Sequence, residues 1–177
     1  MLNFCVDDPT PVKKIYYCAS NRKIMQALDD YDKKLLRLLQ ENNRLTSDEL
    51  SKLVNLSQSA IQRRISRLRN DKIIEADVSI ISPVAAGIGI TCIVDLILHE
   101  GSSKSIEKFK DSLVKCTEVA QCYYVTGTYD FVLIVNTRDM AHFEEFSKKQ
   151  LMDNPNLKHF YTHVVMDKVK VGFGITI

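Results

Sequence analysis

The feature that most constrains this chain is the order of patterns after residue 84. Ile88, Ile90, Cys92, Val94, Leu96 and Leu98 alternate with a second set of side chains, the period of two that marks a strand. Residues 102–115 carry Ile106, Phe109 and Leu113 at helical spacing. Strand-like runs follow at 120–125 and 131–135 around Gly127-Thr128-Tyr129-Asp130. Residues 139–152 then read as a helix with Met140, Phe143 and Phe146 inward. Asn154-Pro155-Asn156 breaks it, and residues 157–171 read as a last long strand. The order is β-α-β-β-α-β, which predicts a ferredoxin-like antiparallel sheet over residues 88–177 with both helices on one face. Two helices cover one face only. Ile93, Ile97 and the continuous run Phe131-Val132-Leu133-Ile134-Val135 put apolar side chains on the other. An apolar face left in water is unusual, so the pattern predicts a second copy packed sheet to sheet across a two-fold axis.

Residues 28–76 have a different texture, that of short helices. Asp29 and Asp30 precede Leu35, Leu36, Leu38 and Leu39, and acids suit the positive end of a helix. Asn42-Asn43 ends that run. Thr46-Ser47-Asp48-Glu49 is a T-x-x-E capping box opening a second helix with Leu50, Leu53 and Val54 inward. Asn55-Leu56-Ser57 is a tight turn with Ser57 as the next N-cap. The third helix buries Ile61, Ile65 and Leu68. At about 100° per residue, Ser59, Gln62, Arg63, Ser66 and Asn70 then face outward. Gln58 stands at one edge, and Arg64 and Arg67 on a flank.

That outward face suits double-stranded DNA. Short hydroxyl and amide side chains near a helix start meet base edges in the major groove, and arginines reach guanine or phosphate. The expected DNA-contacting set is Ser57, Gln58, Ser59, Gln62, Arg63, Arg64, Ser66 and Arg67. The formal net charge of +2 gives no general basic field, so the attraction must be local. Residues 57–72 supply it: five basic side chains against Asp71 alone give 5 − 1 = +4. The solvated face of an ordinary three-helix unit is the competing reading of those arginines.

Leu56-Ser57-Gln58-Ser59-Ala60-Ile61-Gln62-Arg63-Arg64-Ile65-Ser66-Arg67-Leu68, followed by Ile73-Ile74, resembles the recognition helix of the Lrp/AsnC regulators. Their pattern continues with a Gly before the two apolar residues, and Lys72 stands there in this chain. Asp29-x-x-Asp32-x-x-x-Leu36 is similar to that family's opening helix, and Gln121-Cys122-Tyr123-Tyr124-Val125-Thr126-Gly127-Thr128-Tyr129-Asp130-Phe131 to its effector-domain signature. The resemblance spans about residues 28–170. It implies an α+β chain, with an N-terminal winged-type helix-turn-helix followed by the ferredoxin-like effector and oligomerisation domain. It also implies a transcription regulator that forms dimers, often four of them in a ring as an octamer, and holds an amino acid or related effector between subunits. Thr126, Gly127, Thr128, Tyr129, Asp130 and Thr162 fall at the implied effector site. Gly127 permits a tight bend and close backbone approach, and Asp130 has the charge to accept from an ammonium group. A structural turn explains the same residues without a ligand.

Residues 1–27 show no sustained period and read as a flexible extension, with 77–87 as a linker or strand. The five cysteines lack CxxC spacing, and Met1–Asp8 lacks a basic end followed by an apolar stretch. The expectation is a cytoplasmic protein with reduced thiols, no membrane span, no metal and no cofactor. No nucleophile elbow, P-loop or zinc-protease motif occurs, so no catalytic residues are expected. The rival reading takes tetrapyrrole (sirohaem) decarboxylases on the same two-domain plan, for which His159 and His163 would be the candidate groups.

Overall fold

The computed structural model describes residues 27–99 and 103–177. The expected N-terminal extension, Ala27 apart, lies outside them. The described residues pack as two compact units: those from 27 to Ser79 together with Gly172–Ile177, and those between Ile80 and Val171.

The first unit holds α1 (Asp30–Glu41), α2 (Ser47–Val54) and α3 (Gln58–Asn70). Each start is set by a side-chain cap. Asp29 and Asp32 cap α1 reciprocally, Thr46 and Glu49 do the same for α2, and Ser57 accepts the Ala60 N–H at α3. Leu35, Leu50, Val54, Ile61 and Ile65 form the core of this unit. Leu53 departs from expectation. The buried pair on α2 is Leu50 and Val54 at i, i+4, which leaves Leu53 48% exposed. The end of α3 answers the missing glycine. Lys72 itself takes the left-handed conformation at φ 58°, and the Ile73 and Ile74 N–H groups donate to Leu68 O at 2.9 and 3.0 Å. Among the described residues the first unit has no strand, so the expected wing is not formed, and residues 75–82 join no ladder.

The second unit is a four-stranded antiparallel sheet in the order β2-β3-β1-β4, with β1 (Ile90–Leu98), β2 (Val119–Tyr124), β3 (Phe131–Thr137) and β4 (Leu157–Val164). Helices α4 (Ser103–Lys115) and α5 (Met140–Ser147) complete the ferredoxin-like order. Cys92, Val94 and Leu96 from β1 and Phe131, Leu133 and Val135 from β3 meet Phe109, Leu113, Phe143 and Phe146 from the helices. That is one buried layer. Two expectations fail locally. Met140 is the first residue of α5 and is half exposed. After Phe146 the next inward apolar residue is Leu151, five positions on, and a π-helical turn over Lys148–Met152 supplies the wider spacing.

The last strand ends at Val164, not near 171. Its partner β1 begins at Ile90, and the Cys92–Val164 pair lies at that edge, so residues beyond 165 have no ladder to join. The segment Gly172–Ile177 lies with the helices instead. Ile175 N–H donates to Gln40 Oε1 at 2.7 Å, Gln40 Nε2 donates to Ile175 O at 3.2 Å, and Arg37 Nε donates to Ile177 O at 2.7 Å.

Candidate nucleic-acid interface and effector turn

The stripe Ile61, Ile65 and Leu68 is buried, so the rest of α3 turns outward by helical geometry. Ser57, Gln58, Ser59, Gln62, Arg63 and Ser66 are all exposed. Ser57 spends its hydroxyl on the cap, and its oxygen lies 3.2 Å from that of Ser59. Gln58 is held: its Nε2 donates to Asp48 Oδ1 at 2.8 Å, while Lys52 Nζ binds Oδ2 of the same carboxylate. The Lys52 ammonium is the main reason the Asp48 carboxyl sits below the usual range.

Arg64 and Arg67 are employed differently. Arg64 Nη1 donates to Asp29 Oδ2 at 2.7 Å and to Asp32 Oδ1 at 2.8 Å, and its guanidinium lies 5.5 Å from the Tyr31 ring centre. Arg67 Nη2 donates to the other oxygen of Asp32, whose side chain is wholly buried. Two capping aspartates of α1 therefore clamp α3. The Asp32 backbone N–H, then Arg64, hold the Asp29 carboxyl below its ordinary range. Sequence reading missed this clamp because the partners stand 32 and 35 residues apart. Arg69 pairs with Asp77 at 3.0 Å.

In the second unit the Gly127 turn joins β2 to β3. Gly127 has φ 123°, and a Cβ there would meet nothing within 4 Å. Thr126, Gly127 and Thr128 are exposed; Tyr129 and Asp130 are half-buried. Asp130 Oδ2 accepts from the Leu98 N–H at 2.8 Å, and the Asp130 N–H donates to Leu96 O at 2.8 Å, which ties the turn to the end of β1. Tyr129 packs edge-on against Tyr161, ring centres 5.8 Å apart. Thr162 is not on the Tyr161 face. It pairs with Val94 on the helix-covered face, where its hydroxyl oxygen is buried with no hydrogen-bond partner.

The uncovered face carries Ile93, Ile97, Val132 and Ile134, each half-buried, and Tyr123 and Tyr161, each about half exposed. Asp95, only 9% exposed, lies among them with Oδ2 3.1 Å from His163 Nε2. His159 shares that face through its pairing with Ile97. Among the described residues no three His, Cys, Asp or Glu side chains gather to hold a metal, and no helix is long and apolar enough to cross a membrane. Burial pushes the Cys122 thiol up to about 11, so it stays protonated near neutral pH.

A clamped three-helix unit with an exposed polar third helix, joined to a ferredoxin-like sheet, defines the class: a helix-turn-helix regulator with a ligand-binding domain. Residues 28–69 match the AsnC-type helix-turn-helix domain, and residues 91–175 match the Lrp/AsnC ligand binding domain. The chain belongs to the Lrp/AsnC family of transcriptional regulators. It is 47% identical over 150 residues to the HTH-type transcriptional regulator y4tD of Sinorhizobium fredii, covering 85% of this chain and 89% of that one. It is 28% identical over 151 residues to the leucine-responsive regulatory protein of Escherichia coli K12, covering 85% and 92%. In structure it resembles a transcriptional regulator of Neisseria meningitidis in complex with L-Met, with a TM-score of 0.80 at 29% identity over 85% of this chain and 97% of that one. These relatives are named as regulators, and none of them favours the decarboxylase reading.

Proposed function

We propose that this chain binds specific DNA sequences through the outward face of α3 and that an amino acid or related small metabolite governs that binding. The observation that carries the reading is the exposed set Gln58, Ser59, Gln62, Arg63 and Ser66 opposite the buried stripe of a capped helix. These side chains supply donors and acceptors for base edges, and Arg63 supplies charge for guanine or phosphate. Ser57 caps the helix that presents them. Arg64 and Arg67, already held by Asp29 and Asp32, fix the angle of α3 on α1.

A two-fold dimer through the uncovered sheet face would present two such helices to a pseudo-palindromic site. The half-buried Ile93, Ile97, Val132 and Ile134 support it, since a second copy removes them from water. The effector is proposed to meet the Gly127 turn, where Thr126 and Thr128 offer hydroxyls and Asp130 a negative charge. The complex of the Neisseria meningitidis relative with L-Met supports an amino acid as the ligand class. Effector binding then biases the spacing of the paired helices, which is the coupling that allosteric control requires.

The test is enrichment of duplexes from a random pool by the full chain, followed by titration of the winning site with wild type and Arg63→Ala. The variant should lose discrimination at one base pair by ~1–3 kcal/mol, roughly five- to 150-fold. Equal loss on every duplex makes Arg63 a phosphate contact. A chain that enriches no sequence overturns the reading.

A further inference from the structure

The hydrogen bond between Gln58 and Asp48 does more than tidy the start of α3. A carboxylate accepts and cannot donate, so the Gln58 atom that faces Asp48 Oδ1 at 2.8 Å must be the amide nitrogen. The amide is therefore locked against a flip. Asp48 is in turn kept ionised by Lys52, bound to its other oxygen. The lock leaves Gln58, the exposed first residue of α3, with a defined outward display. One amide N–H and the carbonyl oxygen remain; the second N–H is consumed.

That display fits one base better than the others. Adenine offers an acceptor at N7 and a donor at N6 in the major groove, which one N–H and one C=O satisfy together. Guanine offers two acceptors, N7 and O6, and asks for two donors. A free glutamine can turn both amide hydrogens toward guanine. A glutamine tethered through one of them cannot. We propose that Asp48 is a specificity-determining positioning residue: by fixing the Gln58 amide it makes this position of the binding site adenine and excludes guanine. The proposal rests on α3 lying in the major groove with its N-terminal turn against the bases.

The experiment is enrichment from a random duplex pool by the full chain in three forms, wild type, Asp48→Asn and Gln58→Ala, then direct titration of duplexes that differ at the affected base pair. In Asp48→Asn the new carboxamide can face Gln58 with either its oxygen or its nitrogen, so the lock is lost at constant size. Wild type should prefer adenine over guanine at one pair by roughly tenfold or more, the scale of a bidentate contact. Asp48→Asn should reduce that ratio to within about threefold while preferences at the other pairs stay as they are. Gln58→Ala should erase it. Thermal unfolding of each variant reports on the fold, and Asp48→Ala, which removes the tether without offering a new partner, should relax the same pair to the same extent.

The failures separate. If Gln58→Ala leaves the enriched motif unchanged, α3 does not read bases here, and the groove-binding reading falls with the proposal. If Gln58→Ala alters one pair but neither Asp48 variant does, α3 reads DNA and the lock is refuted. A wild-type preference for guanine at the pair that Gln58→Ala relaxes refutes it as well.

Discussion

Replacing Asp32 by Ala tests the clamp that holds α3 against α1. The Asp32 side chain is wholly buried and takes one guanidinium on each oxygen, Arg64 at 2.8 Å and Arg67 on the other side. Removing one partner of a buried ion pair costs about 3–5 kcal/mol because the remaining charge is stranded. Here the stranded groups are not sealed in, since the Arg64 and Arg67 side chains are 22% and 32% exposed. Water reclaims part of the loss, and Asp29 still holds Arg64 at 2.7 Å, which lowers the expectation to about 2–3 kcal/mol. A chain of two units need not unfold in one step, so the readout is hydrogen exchange on peptides from residues 57–71. Their opening should become more frequent by roughly 30- to 150-fold, while peptides from the sheet exchange as before. Combining Asp32→Ala with Arg67→Ala should recover part of the loss, a coupling of about 1 kcal/mol or more. Exchange in α3 that rises less than about threefold would mean that the aspartate does not carry the helix, and the reasoning would fail.

Lys72→Gly should stabilise the first unit by about 0.5–1 kcal/mol in urea denaturation, since a left-handed lysine is strained and glycine is not, less the entropy that glycine adds to the unfolded chain. Acid should weaken the helical unit: the carboxyls of Asp29, Asp48 and Glu49 are held below their ordinary values by the Asp32 N–H, by Lys52 and by the Thr46 N–H respectively. A lowered carboxyl stabilises the fold above its unfolded pKa and ceases to as pH falls through the folded one. The melting temperature of the helices should therefore be flat from about pH 5 to 7 and drop below about pH 4.5. Gly127→Val has room for its Cβ yet forces a valine to φ 123°, so it should distort the turn, abolish the response to the amino acid that shifts duplex affinity, and leave effector-free binding intact. Isothermal titration with and without that amino acid reads both.

What the sequence disclosed was local. The Thr46–Glu49 box, the Ser57 cap and the Ile61-Ile65-Leu68 stripe each lie within a turn or two of chain, and each stands in the structure as its spacing predicts. What it concealed was long-range or conformational. The ion pairs of Arg64 and Arg67 were hidden, because nothing in a pattern reveals a buried aspartate 32 or 35 residues away. The run as far as Val171 reads as strand, but a strand needs a neighbour, and β1 has run out by then. The tail instead meets Gln40, 135 residues distant from Ile175. The Gly127 turn was legible as a bend, and its tie to β1 through Asp130 and Leu98 was not.

A photoreactive benzophenone side chain placed at residue 62, irradiated in the full chain on an enriched duplex, asks most directly whether α3 touches bases. Covalent attachment to bases within the recognised sequence is expected from position 62, and far less from position 37 on α1. Attachment from position 37 alone, with none from 62, would contradict it.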